Sequence, residues 1–490
     1  MRLNEQNLAA KLDSLPANVQ VARYSRSATK IGIVHLGLGA FHRSHQALFT
    51  ERAMNECGGD WAICAVSMRN ETLQQQLSGQ DNLFTVVMND KDTDYQIVSA
   101  VKEVLVAKNQ LDQVLARLTS ADTKLVSLTV TEKGYCLNSA GDLDTELDAI
   151  KADLANPSAP TTVVGMLAYG LAQRHAAGTK PFHVVACDNL PGNGEKLKTA
   201  VVQFAKAANA ELAEWIEQNV QFPNTMVDCI TPHTEDKTVQ LVKDDLGLED
   251  LAPVNREAFH QWVIEDTLPA ERPAWEKVGV IFTNDVEAFE NTKLRILNGL
   301  HSILAYMGPL LGYKSVFEAV SDSRLKAFLQ SIAAQEVIPT IEAPVGLDLH
   351  EYAAQIVRRF ENPKICHLLE QIACDGTIKI PVRTLQPILD NLKAGRSNNN
   401  KLYYVVAAWL LFLVNKVETE QTINDPKAAQ LHQIISNFTG DIAQDVKTFM
   451  TAEGLLPEAV RSNSEVINKV TEAYKVILQH RTDIRAALPM

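Results

Sequence analysis

At 490 residues the chain is too long for one ordinary hydrophobic core and suits two or three domains. A composition of 46% hydrophobic, 21% charged and 6% aromatic residues excludes a disordered chain, and a net charge of −13 disfavours phosphate backbones and anionic membranes as partners. An anionic small molecule would need a local cationic pocket to overcome that field, so inward-facing lysines matter.

The N-terminal stretch MRLNEQNLAAKLDSLPANVQ has no continuous apolar core, which argues against a signal or transit peptide. From residue 31 to about 285, short β-type runs alternate with helical stretches, the pattern of a parallel sheet with crossover helices. The runs are IGIVHLG, WAICAVSM, TKLVSLTV, FHVVACDN and, around 278, VGVIFTND. Between them QDNLFTVVMNDKDTDYQIVSAVKEVLV (80–106) reads as a hairpin insert or an antiparallel edge. From about 286 helical periodicity dominates, as in SRLKAFLQSIAAQEVIPTIEA and NSEVINKVTEAYKVILQH, and clear strands are absent. The longest apolar run, YYVVAAWLLFLV (403–414), has 12 residues and falls short of a bilayer span. AGRSNNNK (394–401) reads as a polar loop. The seven cysteines, Cys57, Cys64, Cys136, Cys187, Cys229, Cys366 and Cys374, form no C-x-x-C pair. Apolar neighbours of Cys64 and Cys187 predict reduced thiols buried in strands, which favours the cytoplasm.

The first strand runs into HLGLGAFHRSHQ, where Gly37-x-Gly39 precedes a predicted helix. Such a pair lets the backbone turn tightly and approach a pyrophosphate at the helix N-terminus, with Gly37, Leu38, Gly39, Ala40 and Phe41 as the cofactor-binding turn. An ordinary strand-to-helix turn uses the same glycines. The third glycine of the dinucleotide fingerprint is His42 here, so helix and strand must pack differently. After the second strand AVSMRNE offers Ser67 and Arg69 in place of an acidic ribose ligand. An arginine there accepts a 2′-phosphate and points to NADP, stacks on adenine, or faces water. The chain thus predicts an α/β Rossmann-type dinucleotide-binding domain with a mostly parallel sheet over 1–285. Over 286–490 it predicts a mainly α-helical substrate and catalytic domain.

EAFENTKLRILNGLHSILAY (287–306) places Glu290, Lys293, Asn298 and His301 in a segment that otherwise reads as a buried helix. On one α-helix over 290–303, with Lys293 at zero, the other three fall at about 60°, 140° and 80°. All four then share one side, with Lys293 and His301 about 12 Å apart along the axis. A solvated polar stripe has the same spacing, but Ile296, Leu297 and Leu304 make the segment enclosed. Desolvation disfavours the ammonium form of such a lysine, so it can take a proton from an alcohol at neutral pH. A neighbouring amide can stabilise the developing alkoxide, and ACDNLPGNG supplies a second one, Asn189, at the end of a sheet strand. No metal is implied: the cysteines lack ligand spacing, and HEYAAQ lacks a second histidine.

At these residues the chain strongly resembles the mannitol dehydrogenase family, the polyol-specific long-chain dehydrogenases. HLGLGAFHRSHQ, SLTVTEKGY, CDN, FPNTMVDCITP, KLRILNGLH and DGTIKIP occur in the family's order over nearly the whole length, and Lys-x4-Asn-x2-His is its specific marker. Within the family, VSLTVTEKGYC, FHQWVIED (259–266) and QIACDGTIKIPVR (371–383) are similar to the fructuronate reductase branch. The resemblance implies Lys293 as catalytic base, Asn189 and Asn298 as oxyanion-stabilising amides, His301 as a substrate-orienting group and Glu290 as a gate for the proton. It also implies Asp228, Lys379, Lys133 and Arg383 at the substrate, and Thr131 among the cofactor-binding residues. Cys229 stands where the family's usual arginine follows Asp228, and two features depart from mannitol-specific members: Gln371 stands where they carry an arginine, and Lys133 stands where they tend to have glycine.

Lys133, Lys379 and Arg383 are cations able to pair with a hexuronate carboxylate. The expected activity is NAD-dependent interconversion of D-mannonate and D-fructuronate, with NADP not excluded, in a cytoplasmic monomer or small homo-oligomer without nucleic-acid or membrane partners. The alternatives are tagaturonate reductase, mannitol or arabinitol dehydrogenase and, from another class, a non-catalytic dinucleotide-binding sensor.

Overall fold

Five short runs rich in Val, Ile and Leu build one all-parallel sheet in the computed structural model, which describes residues 1–90, 92–365 and 367–489. They are β1 (Ile31–Leu36), β2 (Ala62–Ser67), β3 (Val101–Val106), β4 (Leu125–Leu128) and β5 (His183–Ala186), in the order β3-β2-β1-β4-β5. Alternation feeds two cores. Val34, Leu36, Cys64 and Val66 pack into one with Val164 and Leu167, whereas Ile33, Ile63 and Ala65 pack into the other with Phe49. This is the Rossmann strand order, and it reverses direction beside β1, where the fold opens its ligand crevice at the carboxyl ends of the strands.

Two expected strand placements are corrected. Within 80–106, Phe84–Asn89 and Thr93–Val98 do form an antiparallel hairpin, but it joins Val19–Gln20 and Val254–Glu257 in a separate four-stranded sheet. Val101–Val106 is a parallel edge strand, not an antiparallel one. Parallel neighbours need a long crossover, and residues 68–100 supply it through the helix Glu71–Ser78 and the hairpin. The run VGVIFTND yields Ile281–Thr283, which lies outside the parallel sheet. It pairs parallel with Gln261–Glu265, itself antiparallel to Thr225–Asp228. The position beyond β5 is already filled: Val184 N–H donates to Gln221 O at 3.0 Å and the Thr225 hydroxyl bonds to Ala186 O.

The chain divides into two units, Met1–Glu287 and Ala288–Met490. The second is helical, without a strand among the described residues. Its centre is the helix Asn400–Glu418, buried at every position from Lys401 to Val414, so the longest apolar run is a core helix that is hydrophobic all round. The Trp409 ring packs on Tyr306 and Phe449 with centroids 6.4 and 5.3 Å away. AGRSNNNK is more than a polar loop, because it anchors the start of this helix. Asn399 is fully buried and accepts from Asn391, while the Glu336 carboxylate accepts from Lys401 N and Leu402 N at 3.0 and 2.8 Å, as the positive end of a helix favours. No helix among the described residues is long and apolar enough to cross a membrane. Cys64 and Cys187 are buried and free, and Cys366 lies outside the described residues.

Where the fingerprint's third glycine would let helix and strand touch, the buried His42 ring stacks on His35 of β1 with centroids 3.4 Å apart. His35 is held by Ser127 and Thr129 hydroxyls at 2.9 and 3.0 Å, and His42 has no hydrogen-bond partner on either ring nitrogen. Burial pushes His35 and His45 down to about 3 and His42 well below the usual imidazole range. These depressed values mean that the unfolded chain takes up protons that the folded one refuses. Stability present above about pH 6.5 is therefore lost as pH falls toward 3. Glu51 and Asp188, both raised to about 7 by burial, act in the opposite sense below pH 7.

The difference between wild type and His42→Phe isolates one imidazole. The phenyl ring keeps the stack and removes two unpartnered buried nitrogens, so the variant should match wild type within about 1 kcal/mol at pH 7.5. It should gain about 2 kcal/mol relative to wild type at pH 5.0 in urea unfolding. Parallel stability curves for the two proteins would contradict this account.

Candidate active site

The first unit contributes the glycine turn. Gly37 has φ +103°, and a Cβ there would sit 2.0 Å from Thr129 O, so only glycine fits. Gly37 N and Leu38 N both donate to Val66 O at 2.9 and 3.0 Å, and the Thr129 hydroxyl donates to Gly37 O at 2.9 Å, which fixes the turn above β1. Gly39 precedes the short helix Ala40–Ser44, and a Cβ on it would meet no protein atom nearer than Gly37 O at 3.8 Å. The protein therefore leaves clear ground in front of free helix N–H groups, which fits the close approach of a pyrophosphate. Leu38 is buried, and Ala40 and Phe41 are half-buried.

At the end of β2 the buried Ser67 hydroxyl is spent locally, donating to Asn70 O at 2.9 Å and accepting from Asn70 N at 3.0 Å. Asn70 in turn caps the helix Glu71–Ser78, and Arg69 is exposed. Thr131 and Lys133 are exposed around the turn Glu132–Tyr135 that follows β4, and Asn189 is exposed in the loop that follows β5. Tyr135 joins these two loops by donating its hydroxyl hydrogen to Asp188 Oδ2 at 2.9 Å. Burial raises the Asp188 carboxyl to about 7, against the opposing pull of that bond. Asp188 has no role in the sequence reading, although its place after the last parallel strand is a usable signal. Asp228 is buried at the end of Thr225–Asp228, and its charge favours protonation of His45.

The second unit corrects the central helix. Residues 290–303 are not one α-helix: Val286–Thr292 and Gly299–Leu310 are α-helical, and Lys293–Asn298 between them is a π turn. Hydrogen bonds from i to i+5 widen the turn by one residue, so side chains five apart come onto one face. Lys293 and Asn298 are five apart, and the wide turn brings them closer in direction than α geometry does. Two arginines hold it. Arg383 donates from Nη1 to Asn298 O at 3.3 Å and to Ser302 Oγ at 3.0 Å, and Arg295 donates to Thr340 O at 2.7 Å while pairing with Asp390 at 2.6 Å.

Lys293 is 9% exposed and His301 7%, while Glu290 and Asn298 are half-buried. Ile296, Leu297 and Leu304 are all buried, as an enclosed segment requires. Lys379 is half-buried, donating to Ile372 O at 3.2 Å with Asp375 at 3.9 Å, and Gln371 is exposed. Desolvation and then the Arg383 charge lower the Lys379 pKa. Desolvation lowers that of Arg383. The second unit thus gathers Lys293, Asn298, His301, Lys379 and Arg383, and the first gathers Lys133 and Asn189 on neighbouring loops. Among the described residues, no group of three or more His, Cys, Asp or Glu is disposed to hold a metal ion.

Residues 31–277 match the mannitol dehydrogenase Rossmann domain and residues 285–478 the mannitol dehydrogenase C-terminal domain. The chain belongs to the mannitol dehydrogenase family. It is 38% identical over 473 residues to D-mannonate oxidoreductase of Escherichia coli, covering 94% of this chain and 97% of that one. A mannitol dehydrogenase of Saccharomyces cerevisiae is 36% identical over 477 residues, covering 96% and 94%. Among solved structures, mannitol 2-dehydrogenase of Pseudomonas fluorescens, in a ternary complex with NAD and D-mannitol, matches at 37% identity over 100% of this chain and 99% of that one, with a TM-score of 0.81. Substrate-free D-sorbitol dehydrogenase matches the whole of both chains at 33% identity, with a TM-score of 0.90. This chain is accordingly an oxidoreductase of the mannitol dehydrogenase family acting on CH–OH groups, with a Rossmann-type domain and a helical C-terminal domain.

The two glycines of the turn should separate under substitution. Gly37→Ala is strained whatever its surroundings and should cost at least about 2 kcal/mol of stability in urea unfolding. Gly39→Ala should cost less than about 1 kcal/mol and instead weaken NADH binding, read by nicotinamide fluorescence, by roughly tenfold or more. Unchanged NADH affinity in Gly39→Ala would remove the close-approach role of this turn.

Proposed function

We propose that the protein is an NAD-dependent, cytoplasmic oxidoreductase that interconverts D-mannonate and D-fructuronate without a metal ion. The observation that carries this reading is a buried lysine aligned with an amide by a π turn, with Lys379 and Arg383 in the same unit, in a chain whose net charge is −13. Relatedness to D-mannonate oxidoreductase at 38% identity supports the substrate class.

In the oxidative direction Lys293 takes the proton of the carbinol hydroxyl, and in the reductive direction it returns that proton to the alkoxide oxygen. Asn298 donates a hydrogen bond to the same oxygen as its negative charge develops, and the family resemblance assigns Asn189 as a further oxyanion-stabilising amide. His301 orients the sugar chain, and Glu290 passes the proton from Lys293 to water. NAD, when bound, supplies the hydride acceptor or donor. The turn of Gly37, Leu38, Gly39, Ala40 and Phe41 would hold its pyrophosphate, with Ser67, Arg69 and Thr131 as the further residues assigned to it. Lys379, Arg383 and Lys133 offer charge-assisted hydrogen bonds to the carboxylate that distinguishes a hexuronate from a neutral polyol. Asp228 is assigned to the substrate by the family resemblance.

A mannitol 2-dehydrogenase reading has its own support in relatives of that name at 34–36% identity and in the D-mannitol-bound neighbour. Steady-state kinetics over D-mannonate, D-fructuronate, D-tagaturonate, D-mannitol, D-arabinitol and D-fructose, with NADH and NADPH, decide between them. The proposed function predicts the highest kcat/KM with D-fructuronate and NADH, and a preference for neutral ketoses defeats it. Lys293→Ala should lose roughly 10²–10⁴-fold in kcat while still binding NADH. Retained turnover would show that another group moves the proton.

A further inference from the structure

Two imidazoles in the second unit have hydrogen-bonding capacity that the protein does not use. His301, on the helix Gly299–Leu310, is more than nine-tenths buried, and its Nε2 has no partner. His367 lies in the loop after the helix Leu349–Phe360, and its Nδ1 is likewise buried without a partner. The two rings meet edge to face with centroids 5.0 Å apart, and Phe360 covers His301 at 4.3 Å. The loop is pinned at this point, because His367 O accepts from Val316 N at 3.0 Å and His367 N donates to Ile365 O at 3.1 Å. The ring therefore keeps its place beside His301.

Leaving a buried polar atom unpaired costs about 1–3 kcal/mol, and folded proteins keep few of them without a reason. Two on touching rings are hydrogen-bonding groups available to a ligand. Its chemistry follows from the surroundings. Burial disfavours the protonated form of both imidazoles, and besides the His367 ring the side chains whose charge acts on His301 are Arg359 and Arg383, both cationic. Among the described residues no carboxylate pairs with Arg383, whose Nε is also buried and unpartnered. A neutral imidazole offers one N–H, and an acceptor-only anion with several oxygens can satisfy two such donors and a guanidinium together.

Resting on the reading above, we propose that His367 is a substrate-binding residue of this enzyme. Its Nδ1–H and the Nε2–H of His301 receive the carboxylate of the sugar acid, so His367 sets the preference for acid over neutral polyol. This extends the specificity role from His301 of the Lys-x4-Asn-x2-His element to a loop histidine outside it.

The test compares wild type, His367→Phe and His367→Gln by kcat/KM for D-fructuronate and D-fructose with NADH. The phenyl ring preserves the edge-to-face packing without the N–H, and the glutamine amide restores a donor. His367→Phe should lower the ratio of kcat/KM for acid over ketose by roughly 10- to 100-fold, mainly through KM for the acid, with NADH affinity unchanged. His367→Gln should recover part of that ratio. Equal losses on both substrates mean a packing role, and no loss means no contact; either result overturns the proposal while leaving the D-fructuronate reading intact. A wild type that already prefers D-fructose overturns that reading and the carboxylate subsite with it.

Discussion

The proposed chemistry depends on a single widened turn. A regular α-helix through Lys293 and Asn298 would spread the two side chains, and the π segment brings residues five apart onto a common face without any change of sequence spacing. Such a turn forms poorer hydrogen bonds than an α-helix and persists only when its surroundings hold it. Arg383 does so from outside the segment, and Arg295, within it, does so by reaching out to Thr340 and Asp390. Two further π segments, Ala333–Val337 and Pro381–Leu385, lie in the same unit, and the second of them carries Arg383 itself. The strain of one turn is thus met by contacts made from another.

Electrostatics follow from that packing. The chain carries more acid than base overall, yet beside the widened turn Arg359 and Arg383 both disfavour protonation of His301, and Arg383 also disfavours that of Lys379. Concentrating cations against both burial and mutual repulsion costs stability, which is the usual mark of a site arranged for a ligand. In the first unit burial also dominates, but to a structural end: His35, His42 and His45 are kept neutral, and the His42–His35 stack replaces the close helix–strand contact that glycine provides elsewhere.

What can be read in the residues is local. The runs that form β1, β2, β4 and β5 stand out because strands buried on both faces are continuously apolar, and Gly37 stands out because a left-handed turn admits little else. Pairing partners are not local. Ile281–Thr283 has a strand's composition but no mark of which sheet it joins, and Val101–Val106 has no mark of its direction. In the candidate site Lys293, Asn298 and His301 show as polar breaks in an apolar segment, whereas the π turn is silent because widening a turn alters hydrogen bonding and not spacing. His367 is equally silent, as its partner His301 is brought to it only by the fold, whereas Asp188 is marked by its place after the last parallel strand and only its partner Tyr135 is hidden.

The central claim is that the widened turn makes Lys293 and Asn298 act on one oxygen, and a double-mutant cycle over Lys293→Ala and Asn298→Ala tests it most directly. Hydride transfer from NADH to D-fructuronate, followed in single turnovers, should fall in each single variant and fall little further in the double. Losses that multiply, so that each residue acts without regard to the other, would contradict the account.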